Sequence, residues 1–488
     1  MTKPSPLLEP TTLWRSQFVL GRSLPDLEHL ALQRRSVGDM DLWASPALKI
    51  AEAGPVTVLG HAAPLTGGTI ADLFAHITVG STQKDVAEAA LDLAGRFVVV
   101  AALASGVIVF VDGIGSRRMF LSADATIAST SEVLLEKIGA EKRPLSPAEL
   151  DIVNHPGLFK REFATYGIFS PLSGFRRLLP NRVANLSAGS VAVCSPATER
   201  REQSVPEMAR TLRRNAAALA TLGPLEFGLT SGSDSRLLAA AFAAEGVDVL
   251  SFTYVDGGEN KEVDAGTAER IAKAAGFRYQ RVTEPTADPA ITEVLTQSQP
   301  ILRPHPHVLT QLTLLSRRSD NRFTVGGLGG EVSRSKFALM PSGFGREYTR
   351  RTALGGSPHA HDLVAFDEWW DDRFGTPEGE THISDWGVHY WEQRVAVWGT
   401  QYMAEKDLFM DEASGYASGR VQQEMTSFPQ FKRTQPAGTL FADLVEELSP
   451  EIARLGPPNQ SSLPVRAAML TGLPSIIRTL RRSWGQAA

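Results

Sequence analysis

The residues best suited to chemistry form a run of mostly small polar side chains, Leu229-Thr230-Ser231-Gly232-Ser233-Asp234-Ser235-Arg236. Small side chains let neighbouring backbone N–H groups converge on one anion, and a helix N-terminus adds the positive end of its dipole. Thr230 and Ser235 offer hydroxyl donors, and Asp234 offers a carboxylate that could hold Mg²⁺ beside a polyphosphate. Arg236 follows closely enough to reach a phosphate. The run therefore indicates a phosphate-binding loop, called the phosphate loop below (residues 229–236).

Helix capping is the alternative explanation, because Ser and Asp are preferred at helix N-caps. A single serine would serve as a cap, whereas several small polar residues follow one another here. The chain has no Gly-Lys-Ser/Thr sequence, and no Gly-x-Gly-x-x-Gly follows the preceding strand. These absences exclude a Walker A loop and a dinucleotide-binding fingerprint.

The elements around the phosphate loop must place it at the edge of a sheet. The apolar segment PLEFGLT predicts a buried strand that ends at Leu229, and RLLAAAFAAEG predicts a helix that begins near Ser235. Strand, helix and strand patterns then follow in VDVLSFTY, EVDAGTAERIAKAAG and RYQRV, and RFTVGG predicts a later strand. This alternation predicts a parallel sheet, whose strand carboxyl ends are where such sheets bind ligands. Beyond Asp362 the pattern predicts mostly helices, with tryptophans as packing anchors.

The first 200 residues show a different sequence pattern. Apolar runs alternate with turn residues, as in a meander of antiparallel strands, and Ser105-Gly106 interrupts the longest run at residues 97–111. A second hairpin is predicted with its turn at Ser187-Ala188-Gly189. The polar, proline-containing segment 195–206 breaks the pattern. We therefore expect two domains, residues 1–200 and residues 207–488.

Composition narrows the function classes. The 488 residues carry 49 Lys+Arg against 54 Asp+Glu, a net charge of −5, which argues against a nucleic-acid or anionic-membrane partner. No apolar stretch is long enough for a membrane helix and no secretory signal is visible, so we expect a cytoplasmic protein. The single cysteine, Cys194, excludes an intramolecular disulfide framework and a clustered-thiolate zinc site.

The phosphate loop resembles that of the asparagine synthetase-like ATP pyrophosphatases, which reads Ser-Gly-Gly-x-Asp-Ser after an apolar strand. The segment SFTY, residues 251–254, sits where the family's second strand contacts adenine, which implies roles for Ser251 and Thr253. The segment VGGLGGEV, residues 325–332, takes the place of the family's Gly-Asp-Gly-x-Asp-Glu motif and implies roles for Gly327 and Gly329. The resemblance implies ATP and Mg²⁺ as cofactors.

Two departures from the family pattern bear on the chemistry. Gly330 stands where the family has a metal-binding Asp, so Glu331 is the nearest carboxylate for a catalytic and metal-binding role beside Asp234. Glu331 is equally explained as an acidic residue at a helix start. The family's lysine that stabilises the transition state has its nearest counterpart in Lys432, which could equally be a surface lysine.

The N-terminal part resembles a glutamine amidotransferase domain in its Gly-Arg-Phe, strand and Asp-x-x-Gly segments. The resemblance implies an Ntn-hydrolase-like antiparallel β-sandwich flanked by helices, followed by an adenine-nucleotide α-hydrolase-like parallel sheet and a helical C-terminal part. Residue 2 is Thr2 rather than the family's catalytic cysteine, and the surrounding motif is missing. We therefore expect the N-terminal domain to be inactive as a glutaminase.

The resemblance implies an ATP-dependent amide ligase that forms AMP. A substrate carboxylate would be activated as an acyl-adenylate with release of pyrophosphate, and a substrate amine would then attack it. Ring closure of this kind resembles β-lactam synthetases and lasso peptide macrolactam cyclases. The expected partner is a small molecule or peptide that carries both groups, and a precursor peptide and a protease are further candidates. Two alternatives stay open: a catalytically impaired binding scaffold, and a glutamine-dependent asparagine synthase-type amidotransferase.

Overall fold

The protein is a mixed α/β structure with two antiparallel sheets and one parallel sheet. This computed structural model describes residues 9–140, 144, 147, 174–255, 259–298, 306–318, 321–334, 345–354, 360–379, 381–433 and 438–456. Thr2 lies outside the described residues, as do the start of the first expected domain and the end of the second. Within the described part, residues 18–193 supply the antiparallel strands and residues 225–414 supply the parallel ones, which agrees in general terms with the expected fold class.

The antiparallel strands form two six-stranded sheets. The first contains β1 (Phe18–Gly21), β2 (Gln33–Val37), β3 (Met40–Ala44), β8 (Met119–Leu121), β9 (Ala128–Ser129) and β10 (Arg176–Leu178), in the order β10-β8-β9-β1-β3-β2. The second contains β4 (Ile50–Ala53), β5 (Val56–Pro64), β6 (Leu93–Leu103), β7 (Gly106–Val111), β11 (Arg182–Asn185) and β12 (Ser190–Val193), in the order β12-β11-β7-β6-β5-β4.

Both hairpins expected from the sequence are present, since β6 pairs antiparallel with β7 and β11 pairs antiparallel with β12. The two sheets share one apolar cluster, in which Phe18 and Leu42 of the first sheet meet Val98 and Val109 of the second. Alternation of side chains along each strand puts every second residue on this shared face. The N-terminal part is therefore a β-sandwich.

The parallel sheet positions the phosphate loop. Its strands are β13 (Leu225–Gly228), β14 (Val249–Val255), β15 (Arg278–Thr283), β16 (Phe323–Gly326) and β17 (Asp411–Ser414), in the order β15-β14-β13-β16-β17. All neighbouring pairs are parallel, and β13 is the central strand. Strand β17 lies in the region where the sequence predicts helices. Its four residues, Asp-Glu-Ala-Ser, have low strand propensity, so pairing with β16 decides its conformation.

Helices cover the sheets and complete the C-terminal part. They are α1 (Pro10–Leu13), α2 (Ile70–Leu73), α3 (Gln83–Ala90), α4 (Glu132–Lys137), α5 (Val205–Ala220), α6 (Ser233–Ala244), α7 (Glu259–Ala275), α8 (Pro289–Ser298), α9 (Pro306–Leu315), α10 (Gly330–Arg334), α11 (Gly345–Leu354), α12 (Ala360–Phe374), α13 (Asp385–His389), α14 (Thr400–Lys406), α15 (Gly419–Ser427), α16 (Gln430–Arg433), α17 (Leu440–Leu448) and α18 (Pro450–Ala453). A π-helix spans Tyr390–Gly399, and short 3₁₀-helices span Glu28–Leu30, Pro196–Thr198 and Pro377–Gly379. None of the helices that the structure describes has the length and apolarity needed to cross a membrane.

The core of the C-terminal part lies on one face of the parallel sheet. Phe227 of β13 and Val325 of β16 pack there against Leu212 of α5, Leu238 of α6 and Leu444 of α17. These apolar contacts hold the start of α6 against the end of β13, which is the junction that forms the phosphate loop. The expected packing role of the tryptophans is confirmed for two of them: Trp369 and Trp391 are fully buried in a separate apolar cluster.

Candidate functional site

The phosphate loop joins the carboxyl end of β13 to α6. The helix begins at Ser233, two residues before the expected start, and Gly232 is its N-cap with no side-chain capping bond. Helix capping by a side chain is the alternative explanation of this run. The N-cap residue, Gly232, has no side chain that could provide it. Thr230 is exposed and residues 231–234 are half-buried, so a ligand can reach the loop.

Hydrogen bonds inside the loop hold its shape. The Ser235 hydroxyl accepts from the Thr230 backbone N–H at 3.1 Å and donates to the Thr230 carbonyl oxygen, also at 3.1 Å. The Gly232 N–H donates to the Thr230 hydroxyl at 3.1 Å. Since Ser235 is only 6% exposed, its hydroxyl braces the loop and does not face solvent, which differs from its expected use as a phosphate donor.

Residues of the neighbouring strand β14 and of helix α7 form hydrogen bonds with the loop. The buried Leu229 offers its carbonyl oxygen to the Thr253 hydroxyl of β14 at 2.6 Å. The Ser251 hydroxyl donates to the Arg278 carbonyl oxygen at 2.9 Å, and Ser251 is fully buried. Thr253 is therefore the one of these two expected nucleotide-binding residues that the structure ties directly to the loop. In addition, Asp264 of α7 accepts from the Ser231 N–H at 2.6 Å.

Asp234 is engaged by an arginine. The Arg334 Nε and Nη2 atoms donate to the two carboxylate oxygens of Asp234 at 2.8 and 2.6 Å, and both side chains are less than one-fifth exposed. Burial acts to lower the pKa of Arg334, but the charge and hydrogen bonds of Asp234 outweigh it and raise that pKa. The Tyr416 hydroxyl also donates to the Asp234 carbonyl oxygen at 2.9 Å. This arrangement differs from the expected pair of metal-binding carboxylates.

The second glycine-rich segment lies against the phosphate loop. A Cβ atom at Gly327 would stand 3.4 Å from Asp234 Cβ, and one at Gly330 would stand 2.6 Å from Asp234 Oδ1. Gly329 has a φ of +92°, and its N–H donates to Glu331 Oε2 at 3.2 Å. The segment thus meets the loop as expected, and at Gly330 the approach is too close for a side chain.

These residues do not fit a magnesium ion as they stand. Mg²⁺ requires several oxygen ligands at about 2.0–2.1 Å in octahedral geometry. Both Asp234 oxygens already accept from Arg334, and a Glu331 oxygen accepts from a backbone N–H. Among the residues that the structure describes, no group of three or more His, Cys, Asp or Glu side chains could hold a metal ion.

Two further basic residues, Lys432 and Arg236, are candidates for the site on the basis of the sequence. Lys432 is half-buried on α16, and its neighbour Arg433 donates to the Ser333 carbonyl oxygen of α10 at 3.2 Å. Burial lowers the pKa of Arg433 to about 10. Arg236 is 4% exposed, and its guanidinium donates to the Gly456 carbonyl oxygen, so it is engaged away from the phosphate loop. The catalytic role of Lys432 stays a prediction.

A cavity of about 190 Å³ opens beside the loop, at the carboxyl edge of the parallel sheet. It is lined by Gly228, Leu229, Thr230, Phe252, Thr253, Tyr254, Gln311, Thr324, Val325, Gly326, Tyr402, Lys406, Met410 and Glu412. At its inner end Lys406 Nζ donates to Glu412 Oε1 at 2.6 Å, and both side chains are buried. Residues of four strands and of the loop line the cavity, so a ring-sized group held there could place attached phosphates at α6.

The Lys406–Glu412 pair that lines this cavity was not identified from the sequence. Lys406 and Glu412 follow the phosphate loop by 170 residues or more, and Glu412 lines the cavity only because β17 joins the sheet beside β16. A buried lysine at the end of a helix and a glutamate in a short strand have no distinctive spacing, so the sequence offers no signal for the pair.

No protein-family model matches the chain, and no curated protein matches it. Solved structures with partial likeness include an NMN synthetase from Francisella tularensis, at 13% identity and a TM-score of 0.22, over 40% of this chain and 94% of that one. An allosteric regulatory enzyme of purine biosynthesis shares 10% identity over 58% of this chain and 78% of that one, with a TM-score of 0.23. A glutamine PRPP amidotransferase from B. subtilis, complexed with ADP and GMP, shares 10% identity over 67% and 73%, with a TM-score of 0.20. Likenesses of this strength support no inference about function.

Proposed function

We propose that the protein is an ATP-dependent amide ligase that activates a substrate carboxylate as an acyl-adenylate and joins it to a substrate amine. The observation that carries the proposal is the phosphate loop, which lies between the central strand β13 and α6, with Gly232 at an N-cap that no side chain fills. The positive end of the helix dipole at such a helix start favours phosphate oxygens.

Each part of the site has a defined task in this proposal. The backbone at the start of α6 binds and orients the phosphates, and the side-chain-free backbone at Gly327 lets them approach. Thr253 and the adjoining cavity hold the nucleoside part. Lys432 stabilises negative charge that develops on the reacting groups. These residues act by positioning and charge, which supply most of the rate gain in reactions at phosphorus.

The proposed substrate carries its own amine. Residue 2 is Thr2, so the family's cysteine nucleophile for releasing ammonia from glutamine is not at that position. A molecule or peptide with both a carboxylate and an amine would then undergo ring closure, as in lactam or macrolactam formation. If the substrate is a peptide, we propose a precursor peptide as its source and a protease as the partner protein.

A binding scaffold without turnover is the second candidate, and the Asp234–Arg334 ion pair favours it. Because that pair occupies the expected metal ligand, activation of ATP by Mg²⁺ on Asp234 would require the pair to open. A scaffold of this kind would bind a nucleotide or peptide and release neither AMP nor pyrophosphate.

One experiment separates the candidates. The full chain is assayed for ATP binding by calorimetry and for ATP–pyrophosphate exchange with candidate carboxylates and carboxylate–amine substrates. Binding with exchange supports the ligase, binding without exchange supports the scaffold, and no binding overturns the nucleotide site.

A loop variant tests where the nucleotide binds. Gly232→Asp should preserve α6, because Asp is a good N-cap, but its carboxylate would occupy the helix amides and repel phosphate. We expect at least tenfold weaker ATP binding. Ser204→Asp, at the N-cap of α5, adds the same charge elsewhere and should leave binding unchanged. Equal affinities for the wild type and Gly232→Asp would contradict the assignment.

A further inference from the structure

We propose that Arg334 takes the place of a divalent cation in this site, so that nucleotide phosphates bind without Mg²⁺. The inference rests on the proposed nucleotide site, and it adds which group balances the negative charge of the phosphates there. It starts from the bidentate ion pair between Arg334 and Asp234.

The ion pair uses the oxygens that a metal would need. Both Asp234 oxygens accept from Arg334, at 2.8 and 2.6 Å, and the two side chains are 17% and 18% exposed. Pulling Asp234 away to bind a cation would leave the Arg334 guanidinium without its partner in a mostly buried position. Breaking a pair in such surroundings is costly, because one charge then stays desolvated and uncompensated.

A second carboxylate cannot easily stand beside Asp234. At Gly330 even a Cβ atom would lie 2.6 Å from Asp234 Oδ1 and 2.8 Å from its Cγ. The neighbouring Glu331 and Asp264 each accept from a backbone N–H, at 3.2 and 2.6 Å. The Asp234 side chain therefore leaves no room for a side chain at position 330, and the nearby acidic side chains already have donors.

Arg334 can supply the missing positive charge itself. A guanidinium has five N–H donors in a fixed plane, and the pair with Asp234 uses two of them. The fork of donors matches phosphate oxygens, and Arg stays charged at all ordinary pH values. The Phe441 ring lies 6.0 Å from the guanidinium carbon, which limits the positions that the guanidinium can take. Arg334 is thus held beside the start of α6, where the phosphates would lie.

The deciding measurement is ATP binding by calorimetry to the full chain, once with excess EDTA and once with excess Mg²⁺. We expect dissociation constants that agree within threefold. Affinity at least tenfold weaker in EDTA would overturn the role of Arg334 and leave the nucleotide site standing. No binding in either condition would instead overturn the nucleotide site on which the inference rests.

Variants test the residue itself. Arg334→Ala should weaken ATP binding in EDTA at least tenfold and make it depend on Mg²⁺, because Asp234 becomes free to act as a ligand. Arg334→Lys keeps a charge and should lose less. Arg281→Ala removes an arginine from an exposed ion pair on β15 and should behave like the wild type. If thermal unfolding shows that Arg334→Ala does not fold, Arg334→Lys decides the question. We expect its ATP binding in EDTA to weaken less than tenfold and to stay independent of Mg²⁺, because the positive charge is kept. A gained Mg²⁺ dependence in Arg334→Lys would contradict the role of that charge.

Discussion

At the scale of single residues, Gly330 and Arg334 determine what the Asp234 carboxylate contacts. The backbone of Gly330 approaches Asp234 so closely that no side chain fits at position 330. Arg334, one helical turn later, supplies the charge that balances Asp234. The carboxylate that the sequence suggests as a metal ligand is therefore the acceptor of an ion pair.

Cys194 allows a direct test of a half-buried side chain, because it is the chain's only thiol. Burial raises its pKa to about 11, so little thiolate exists at pH 8 in the folded protein. We expect the native thiol to react with a disulfide reagent at pH 8 about 100-fold more slowly than in the urea-unfolded chain. Comparable rates in the two states would show that the thiol is accessible and ionises normally.

His389 predicts a pH dependence of stability. It is buried among aromatic rings, with the Trp369 centroid 5.1 Å away, and burial lowers its pKa to about 3. In the unfolded chain histidine takes a proton near pH 6.5, whereas the folded state resists protonation, so stability falls as the pH decreases below 6.5. Between pH 6.5 and 5 the wild type should lose about 2 kcal/mol more than His389→Phe in urea unfolding.

The exposed His29 is the control for this prediction. Its replacement by Gln should leave the pH dependence of the wild type unchanged. If His389→Phe and the wild type lost stability in parallel, protonation of His389 would not limit the folded state.

At the scale of elements, the π-helix Tyr390–Gly399 ties the two parts of the chain together. Its fully buried Glu392 accepts from Arg182 of β11 at 3.2 and 3.3 Å and from the Trp369 indole at 2.9 Å. Arg373 of α12 lies 3.5 Å from the same carboxylate. A π-helix is wider than an α-helix and is uncommon at this length; here it carries the acidic centre of a buried charge cluster.

Glu392→Gln should destabilise the protein by about 3 kcal/mol, because the buried Arg182 and Arg373 would each lose a negative partner and, among the described residues, only Arg182 keeps a direct ion pair, with Asp372. The free energy of unfolding from urea titrations, at an unchanged m value, measures this effect. Glu347→Gln removes a partner from an exposed ion pair on α11 and should change stability by less than about 0.5 kcal/mol. A similarly small change in Glu392→Gln would mean that the cluster contributes no net stability.

At the scale of the whole molecule, charged contacts join the β-sandwich to the parallel sheet. Arg96 of β6 pairs with Asp407 in a fully enclosed contact, and Arg15 donates to the carbonyl oxygens of Asp407 and Met410. Asp411, the first residue of β17, contacts Arg15 at 3.0 Å and His61 of β5 at 3.2 Å. The N-terminal part thus holds the segment that brings Lys406 and Glu412 to the cavity, which gives this part of the chain a structural task.

Asp411 makes this interface sensitive to acid. Burial acts to raise its pKa, but the His61 hydrogen bond and the Arg15 charge outweigh burial and lower that pKa well below its usual range. The stabilisation is therefore complete above about pH 4 and is lost as the pH falls below it. Between pH 5 and 3, urea unfolding should show the wild type losing about 1 kcal/mol more than Asp411→Asn.

Asp248→Asn, at an exposed ion pair, is the matched control and should follow the wild type. An Asp411→Asn variant that loses as much stability as the wild type over this range would show that the contact with Arg15 and His61 does not depend on ionisation.

Sequence patterns alone determined the local elements and the position of the phosphate loop. The run of small residues between the apolar segments around Phe227 and Leu238 was enough, because turn chemistry and hydrophobic periodicity act over a few neighbouring residues. The hairpin at residues 93–111 was predictable for the same reason. Helix α6 begins two residues earlier than expected, since Gly232 serves as the N-cap without a side chain.

Only the tertiary structure decided the electrostatics of the site. The partner of Asp234 lies 100 residues away, and Glu412 reaches the cavity through a strand that has no strand-like composition. Such pairings depend on which backbones come together once the core has packed, and the sequence near each residue does not encode them. The loop was therefore predictable from its own residues, whereas the arginine beside it became visible only in the folded chain.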